Sequence, residues 1–131
     1  MMSNINFGNI KFFNNHIIYE INEGVTVSLS KNRVLVELAL NYFKGKPFVF
    51  IVNRKHSYSV DPMIYSEISR IDTLKGIAVV TTDTKKIVSC KIEKLFSTKP
   101  FELFPNIEKA TNWVNDLILN YPNDSSKSIA S

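Results

Sequence analysis

An unbroken run of five apolar residues, Phe48 to Val52, constrains the fold more than any other stretch of the sequence. A strand with one face in water alternates apolar and polar side chains, whereas a strand covered on both faces forms a continuous apolar run. The sequence therefore predicts a central strand at residues 48–52. Polar residues follow it at once, in the place where α/β proteins usually carry their sites.

Apolar and polar residues alternate in two segments nearer the N-terminus. These segments are residues 17–21 and 25–29, and Glu23-Gly24 lies between them. Period-two alternation on both sides of a short turn predicts a β-hairpin with one buried face. A further short strand is predicted at residues 10–13, just before Asn14-Asn15.

Helical spacing occurs in four segments. One helix is predicted from Ser30, its expected N-cap, to Lys44-Gly45, and another from Asp61-Pro62. A third is predicted at residues 84–96, and a fourth after Asn106. The predicted buried faces are Val34, Leu35, Leu38, Ala39 and Tyr42 in the first helix; Ile64, Ile68 and Ile71 in the second; Val88, Ile92, Leu95 and Phe96 in the third; and Ala110, Trp113, Val114 and Leu117 in the fourth.

The order of these elements predicts the fold class. Short strands at residues 77–80 and 101–104 separate the later helices, which gives the order β-β-α-β-α-β-α-β-α. Such an order is typical of an α/β fold with a mixed sheet, here of about five strands, and helices packed on it. A chain of 131 residues fits one domain, predicted at residues 1–122, with a polar, loosely held tail at residues 123–131.

The charge and hydropathy of the chain limit its partners. The net charge of +4 is a mild excess that could favour an anionic partner. Nucleic-acid binders interleave clustered Arg and Lys with stacking aromatics, but the aromatics here have core spacing, so nucleic acid is not expected. No apolar run approaches about 18 residues and the start does not resemble a signal peptide, so a cytoplasmic protein without a transmembrane segment is expected.

No catalytic or metal-binding pattern is recognisable in the sequence. The single cysteine, Cys90, has no histidine near it in the chain, and a thiol without an activating neighbour is mostly inert. His16 and His56 are far apart, and no cysteine or acidic cluster has the spacing of metal ligands. There is also no glycine-rich phosphate loop. The sequence therefore predicts a non-catalytic protein with no metal and no cofactor.

The loop after the central strand is the first candidate interaction site. It contains Arg54, Lys55, His56, Ser57 and Ser59. The basic residues could hold an anionic group, although a basic cluster in a loop is more often simply solvated. The serines could be phosphorylated, or they could cap a helix or make turn hydrogen bonds.

The third helix is the second candidate. On a helical wheel Ile87 falls between Lys91 and Lys94, opposite the predicted buried face. An apolar residue among basic ones could bind another protein, a second copy of the chain or an anionic membrane. A single exposed isoleucine is also common in proteins that bind nothing there.

Three stretches, taken in order, resemble a known family. They are NIKFFNNHIIYEINEGVTVSL, GKPFVFIVNRKHSYS and LFPNIEKATNWVNDL, and they cover residues 10 to about 119. Together with the order of elements, they resemble the STAS superfamily, whose small α/β domains are also called SpoIIAA-like. Within it they are most similar to a family of small uncharacterised bacterial proteins.

The resemblance implies a bacterial protein-interaction or regulatory module. Anti-sigma-factor antagonists of this superfamily carry a phosphorylatable serine at the start of the helix after the central strand. Ser57 or Ser59 occupies that place here, without the aspartate that commonly adjoins it. Domains of related topology also resemble lipid-transfer modules such as CRAL-TRIO, and the chain has nine Phe, so binding of a lipid or other apolar small ligand is the alternative.

Overall fold

The computed structural model describes residues 2–120, so the predicted tail at 123–131 lies outside the described residues. None of the helices within that range combines the length and apolar character needed to cross a bilayer. In chain order the elements are β1 (Met2–Ile5), β2 (Gly8–Phe12), β3 (His16–Ile21), β4 (Thr26–Val27), α1 (Leu29–Phe43), β5 (Phe48–Asn53), β6 (Ser59–Val60), α2 (Met63–Ile68), β7 (Leu74–Val80), α3 (Thr84–Lys94), β8 (Phe101–Phe104) and α4 (Ile107–Asn120).

The main sheet is mixed and has six strands, in the spatial order β1-β2-β3-β5-β7-β8. The first three strands are antiparallel to one another, and β3, β5, β7 and β8 are parallel. The predicted α/β class is therefore confirmed, with six strands rather than about five. The predicted central strand is β5, which lies between β3 and β7.

Both faces of β5 are covered, as its apolar run predicted. Phe48, Phe50 and Val52 belong to the larger core, which also contains buried residues of α1, α2 and α3. Val49 and Ile51 belong to the smaller core on the opposite face, where α4 packs. The molecule thus has three helices on one side of the sheet and one helix on the other.

The predicted hairpin of residues 17–21 and 25–29 is wrong. β3 pairs instead with β2, from Gly8 opposite Ile21 to Phe12 opposite Ile17, while β4 pairs in parallel with β6 in a separate ladder. Gly24 has a φ of 77°, which turns the chain away from β3, and its backbone N–H donates to the Ser57 carbonyl at 2.8 Å. Alternation identifies a half-buried strand but not its partner.

The predicted starts of α2 and α4 are confirmed, but α2 ends at Ile68, so Ile71 of its predicted buried face lies beyond it. Asp61 Oδ1 accepts from the backbone N–H of Met63 at 3.0 Å, and Asn106 Oδ1 accepts from that of Lys109 at 2.9 Å. In α1 the cap is Ser28 rather than Ser30. The helix therefore begins earlier than predicted, and Val34 and Tyr42 of its predicted buried face are exposed.

The orientation of α3 also differs from the prediction. Val88, Ile92 and Leu95 were expected in the core, but they are 60%, 56% and 83% exposed. The buried residues of α3 are Cys90 and Glu93. Glu93 faces inward because it pairs with charged and polar groups beneath the helix, which a hydrophobic pattern does not register.

Candidate functional site

The loop from Asn53 to Ser59 leaves the carboxyl end of β5 and leads into β6. Its first residues still follow the sheet, because the backbone N–H of Arg54 donates to the Val80 carbonyl of β7 at 3.0 Å. The Arg54 side chain is consequently buried, with 5% of the residue exposed. The loop therefore buries Arg54, half-buries Asn53 and Tyr58, and exposes Lys55, His56, Ser57 and Ser59.

Arg54 lies in a buried polar cluster made of Arg54, Tyr58, Tyr65, Cys90 and Glu93. Its guanidinium donates through Nη1 to Glu93 Oε2 at 2.8 Å and to Cys90 Sγ at 3.1 Å. The Tyr65 hydroxyl donates to the other oxygen of Glu93 at 2.6 Å. The guanidinium carbon lies 4.7 Å from the ring centre of Tyr58, a cation–π distance.

Burial determines the protonation states in the cluster. It raises the pKa of the Tyr65 hydroxyl well above its ordinary value, and the nearby Glu93 carboxylate raises it further. Burial also raises the pKa of the Cys90 thiol, although the Arg54 charge opposes that shift. Burial disfavours the charge on Arg54, but Tyr58 and Glu93 outweigh it and hold the Arg54 pKa above its ordinary value. The tyrosine and cysteine are thus neutral around an ionised guanidinium.

The other basic residues of the loop point to different carboxylates. Lys55 Nζ lies 3.1 Å from Glu20 Oε1, and His56 Nδ1 lies 3.9 Å from Glu23 Oε1. With Arg54 paired to Glu93, the three predicted anion-binding side chains do not converge on one point. Whether any one of them binds an anion remains a prediction.

The two predicted phosphorylation sites are exposed. Ser57 donates its backbone N–H to Glu23 Oε1 at 2.9 Å, and Ser59 lies in β6. Both precede α2, as the resemblance predicted from their position in sequence. Whether either is phosphorylated remains a prediction.

A groove of about 410 Å³ separates β6 and the start of α2 from α3. Its floor reaches the buried polar cluster through Arg54, Tyr58 and Glu93. Its walls contain apolar side chains from β6, from the start of α2, and from α3 and the residues just after it. The lining residues are Arg54, Tyr58, Ser59, Val60, Pro62, Ser89, Ile92, Glu93 and Phe96.

An apolar surface on α3 continues from this groove. We call it the outer stripe, and it consists of Val88, Ile92, Leu95 and Phe96, of which Phe96 is 47% exposed. The spacing of the first three residues, i, i+4 and i+7, places them on one side of the helix. Since Ile92 and Phe96 also line the groove, the stripe and the groove form one continuous surface.

The predicted α3 surface of Ile87, Lys91 and Lys94 stays a prediction, although only the two lysines are exposed. Ile87 is half-buried, and Lys94 reaches Glu102 of β8 at 3.3 Å. Lys91 alone of the predicted trio borders the outer stripe, one turn from Val88 and from Leu95. The inward side of α3 carries Ile87, Cys90 and Glu93, each three residues after the last. Because one of them is an acid, the hydrophobic pattern of the sequence did not identify this side as buried.

A larger groove, of about 560 Å³, lies on the face of β1, β2 and β3 that α4 leaves uncovered. Its most structured element is the Glu20 carboxylate, which accepts from Asn53 at 3.0 Å and from Asn9 at 3.4 Å and pairs with Lys55. Burial opposes the charge of Glu20, but the contacts with Lys55 and Asn9 lower its pKa overall. The polar side chains around Glu20 therefore form hydrogen bonds and an ion pair with one another.

Together, the sheet order and the four helices form the SpoIIAA-like α/β fold that the resemblance predicted. The fold is similar to the crystal structure of an uncharacterized protein from the DUF3478 family with a SpoIIAA-like fold, from Shewanella loihica PV-4. The TM-score is 0.57 at 13% sequence identity, over 87% of this chain and 98% of that chain. No family model and no curated protein matches the sequence. At this identity the likeness concerns the fold alone.

Proposed function

We propose that this chain is a non-catalytic module that binds another protein through the outer stripe and the adjoining groove. The observation that supports it is the exposure of Val88, Ile92 and Leu95 on one side of a single helix. Contiguous exposed apolar patches are uncommon on soluble monomers and often mark interaction surfaces. Fully burying one such side chain contributes about 1.5–3 kcal/mol, so a partner that covers the stripe gains a substantial driving force.

The arrangement of side chains in the groove floor supports the non-catalytic part of the proposal. Both carboxylate oxygens of Glu93 accept hydrogen bonds, from Arg54 and from Tyr65. A general base must instead reach a proton on the substrate. The Cys90 thiol is buried and its pKa is raised, whereas a nucleophilic cysteine needs a lowered pKa. These groups are better suited to holding α3 than to reacting.

Site-specific photocross-linking in the source cell tests the proposal. A photoreactive residue at position 95 is expected to capture a defined protein, and one at position 88 the same protein. Leu119 on α4 is the matched control, because it is a similarly exposed leucine outside the stripe. Capture of the same set of proteins from positions 95 and 119 would contradict the proposal, as would capture at position 95 that persists in an Ile92→Glu variant.

Binding of a lipid or other apolar small ligand is the second candidate function. The groove has the volume of a ligand pocket, roughly 300–1,000 Å³, and Val60, Pro62 and Phe96 give it apolar walls. The space enclosed beside Tyr19 and Val52 is only about 20 Å³, so an apolar ligand would have to lie in a surface groove and not inside the core. Native mass spectrometry of purified protein that detects a co-purifying lipid would favour this candidate.

Phosphorylation of Ser59 would regulate the same surface. Ser59 lines the groove, and a phosphate there would add a charge of about −1.5 to −2 at the edge of an apolar surface. Ser57 lies just outside the groove lining. Phosphosite mapping in growing cells that finds both serines always unmodified would contradict this form of regulation.

A further inference from the structure

The exposed charges of α3 all have the same sign. Lys91 is exposed along one side of the outer stripe and Lys85 at its N-terminal end, one turn before Val88, and no carboxylate within residues 2–120 forms an ion pair with either of them. Glu93 is the only acidic residue of α3, and it is buried against Arg54. A partner of α3 therefore meets an apolar stripe with a cation along one side and another at its N-terminal end.

The spacing of the stripe matches the packing of one helix on another. Val88, Ile92 and Leu95 follow each other at intervals of four and three residues, the interval of the apolar seam in helix–helix contacts. Lysines at the flanks of such a seam select partners with acidic residues in the facing positions. Phe96 adds an aromatic side chain at the end of the seam, next to the groove.

We infer that the partner segment is an amphipathic helix with acidic residues beside its apolar seam, and that it lies along α3. This inference rests on the proposed function, since it identifies the partner of the same surface. One large apolar side chain of that helix enters the groove between Val60 and Phe96. Acidic residues of the helix pair with Lys85 and Lys91.

The same observations disfavour two other occupants. A second copy bound through a two-fold axis would place the stripe of one chain on that of the other, so two surfaces whose exposed α3 charges are all positive would meet. Like charges in that position oppose association. An anionic membrane would suit the lysines, but a planar surface cannot fill a concave groove, so its apolar walls would stay in water.

Two synthetic peptides test the inference. Both are about three heptads long with Leu at the a and d positions, and they differ only in having Glu or Lys at the flanking e and g positions. Fluorescence anisotropy is expected to show that the Glu peptide binds about ten-fold tighter or more, with a preference that weakens as salt is added. A Lys85→Glu/Lys91→Glu variant is expected to prefer the Lys peptide.

The controls separate seam binding from charge attraction. Leu95→Ser, which removes the apolar contact without adding a charge, is expected to abolish binding of the Glu peptide, and Leu119→Ser is expected to leave it unchanged. Equal affinity for both peptides, tighter binding of the Lys peptide, or no binding of either would overturn the inference. Binding to phosphatidylglycerol vesicles, or a dimer in native mass spectrometry, that is lost in Leu95→Ser would overturn it in favour of a membrane or a second copy.

Failure of the inference can be told apart from failure of the proposed function. If the peptides show no preference while position 95 still cross-links to a defined protein in cells, the partner is not an acidic helix but the surface is a docking site. If position 95 also captures nothing that position 119 does not, both are wrong. Circular dichroism of each variant shows that the fold is retained.

Discussion

Glu93 is the residue that holds α3 on the sheet. Most helices pack on a sheet through apolar side chains, but Glu93 makes an ion pair with Arg54 and accepts a hydrogen bond from Tyr65, both of which lie below the helix. Buried ion pairs contribute little net stability compared with a well-packed apolar pair, because both charges lose their water. Removing one partner alone is much worse, since a charge then remains buried without compensation.

Glu93→Gln is therefore expected to lower the free energy of unfolding by about 3–5 kcal/mol. The neutral amide keeps the shape of the side chain but leaves the Arg54 charge uncompensated. The matched control is the Arg54→Met/Glu93→Leu double variant, which is expected to recover most of the loss. Urea denaturation measures both. Equal losses in the single and double variants would show that the charge pair is not the source of the effect.

Stability is also expected to fall at alkaline pH. Burial is the main cause that raises the pKa of Tyr19, Tyr58 and Tyr65 in the folded protein. In the unfolded chain these hydroxyls ionise near pH 10, so above that pH the unfolded state holds fewer protons than the folded state. The stabilising contribution is complete below about pH 10 and is lost as the pH rises further.

Urea denaturation from about pH 9 to 11 measures this dependence. The wild-type protein is expected to lose stability steadily over the upper part of that range. Tyr65→Phe removes one of the three titrating groups, so its curve should fall less steeply from its own starting value. A wild-type stability that does not change between these pH values would contradict the burial of the three hydroxyls.

At the scale of elements, the positions of strands and their buried faces could be predicted more accurately than the pairing between strands. The apolar run of β5 and the spacing in α4 depend on burial alone, and both predictions are confirmed. The partner of β3 depends on which turn closes, and Asn14-Asn15 closes the β2–β3 hairpin instead of Glu23-Gly24. The orientation of α3 depends on Glu93, whose partners are distant in sequence. These two features were not predictable from local spacing.

The start of α1 provides a test at this scale. Ser28 Oγ accepts from the backbone N–H of Lys31 at 3.3 Å, whereas Ser30 lies within the helix. Ser28→Ala is expected to lower the free energy of unfolding by about 1 kcal/mol, because a first-turn N–H loses its acceptor. Ser30→Ala is the matched control and should have a much smaller effect in the same denaturation assay. The reverse order would place the cap at Ser30.

At the scale of the whole molecule, the two layers of helices share one sheet. β5 supplies alternate side chains to the core beneath α1, α2 and α3 and to the core beneath α4. The candidate site lies on the outside of this body, so its position after β5 could be predicted, whereas its main residues on α3 could not. The order of strands and helices specifies where a loop emerges, but the rotation of a helix depends on contacts across the fold.

This shared sheet predicts a single cooperative unfolding transition. Trp113, the only tryptophan, packs on the α4 side and reports on the smaller core, while far-ultraviolet circular dichroism reports on all elements. The two signals are expected to change together with urea concentration. A tryptophan transition at a clearly lower concentration would mean that α4 unfolds separately and that the two cores are not one domain.

The free energy of unfolding of a Leu95→Glu variant tests the central claim most directly. If α3 faces its apolar side outward, a charge at this highly exposed position should change stability by no more than about 0.5 kcal/mol. If the helix instead buries Val88, Ile92 and Leu95, as its hydrophobic pattern alone would predict, the same substitution should lower stability by several kcal/mol. That result would contradict the account and remove the outer stripe as a docking surface.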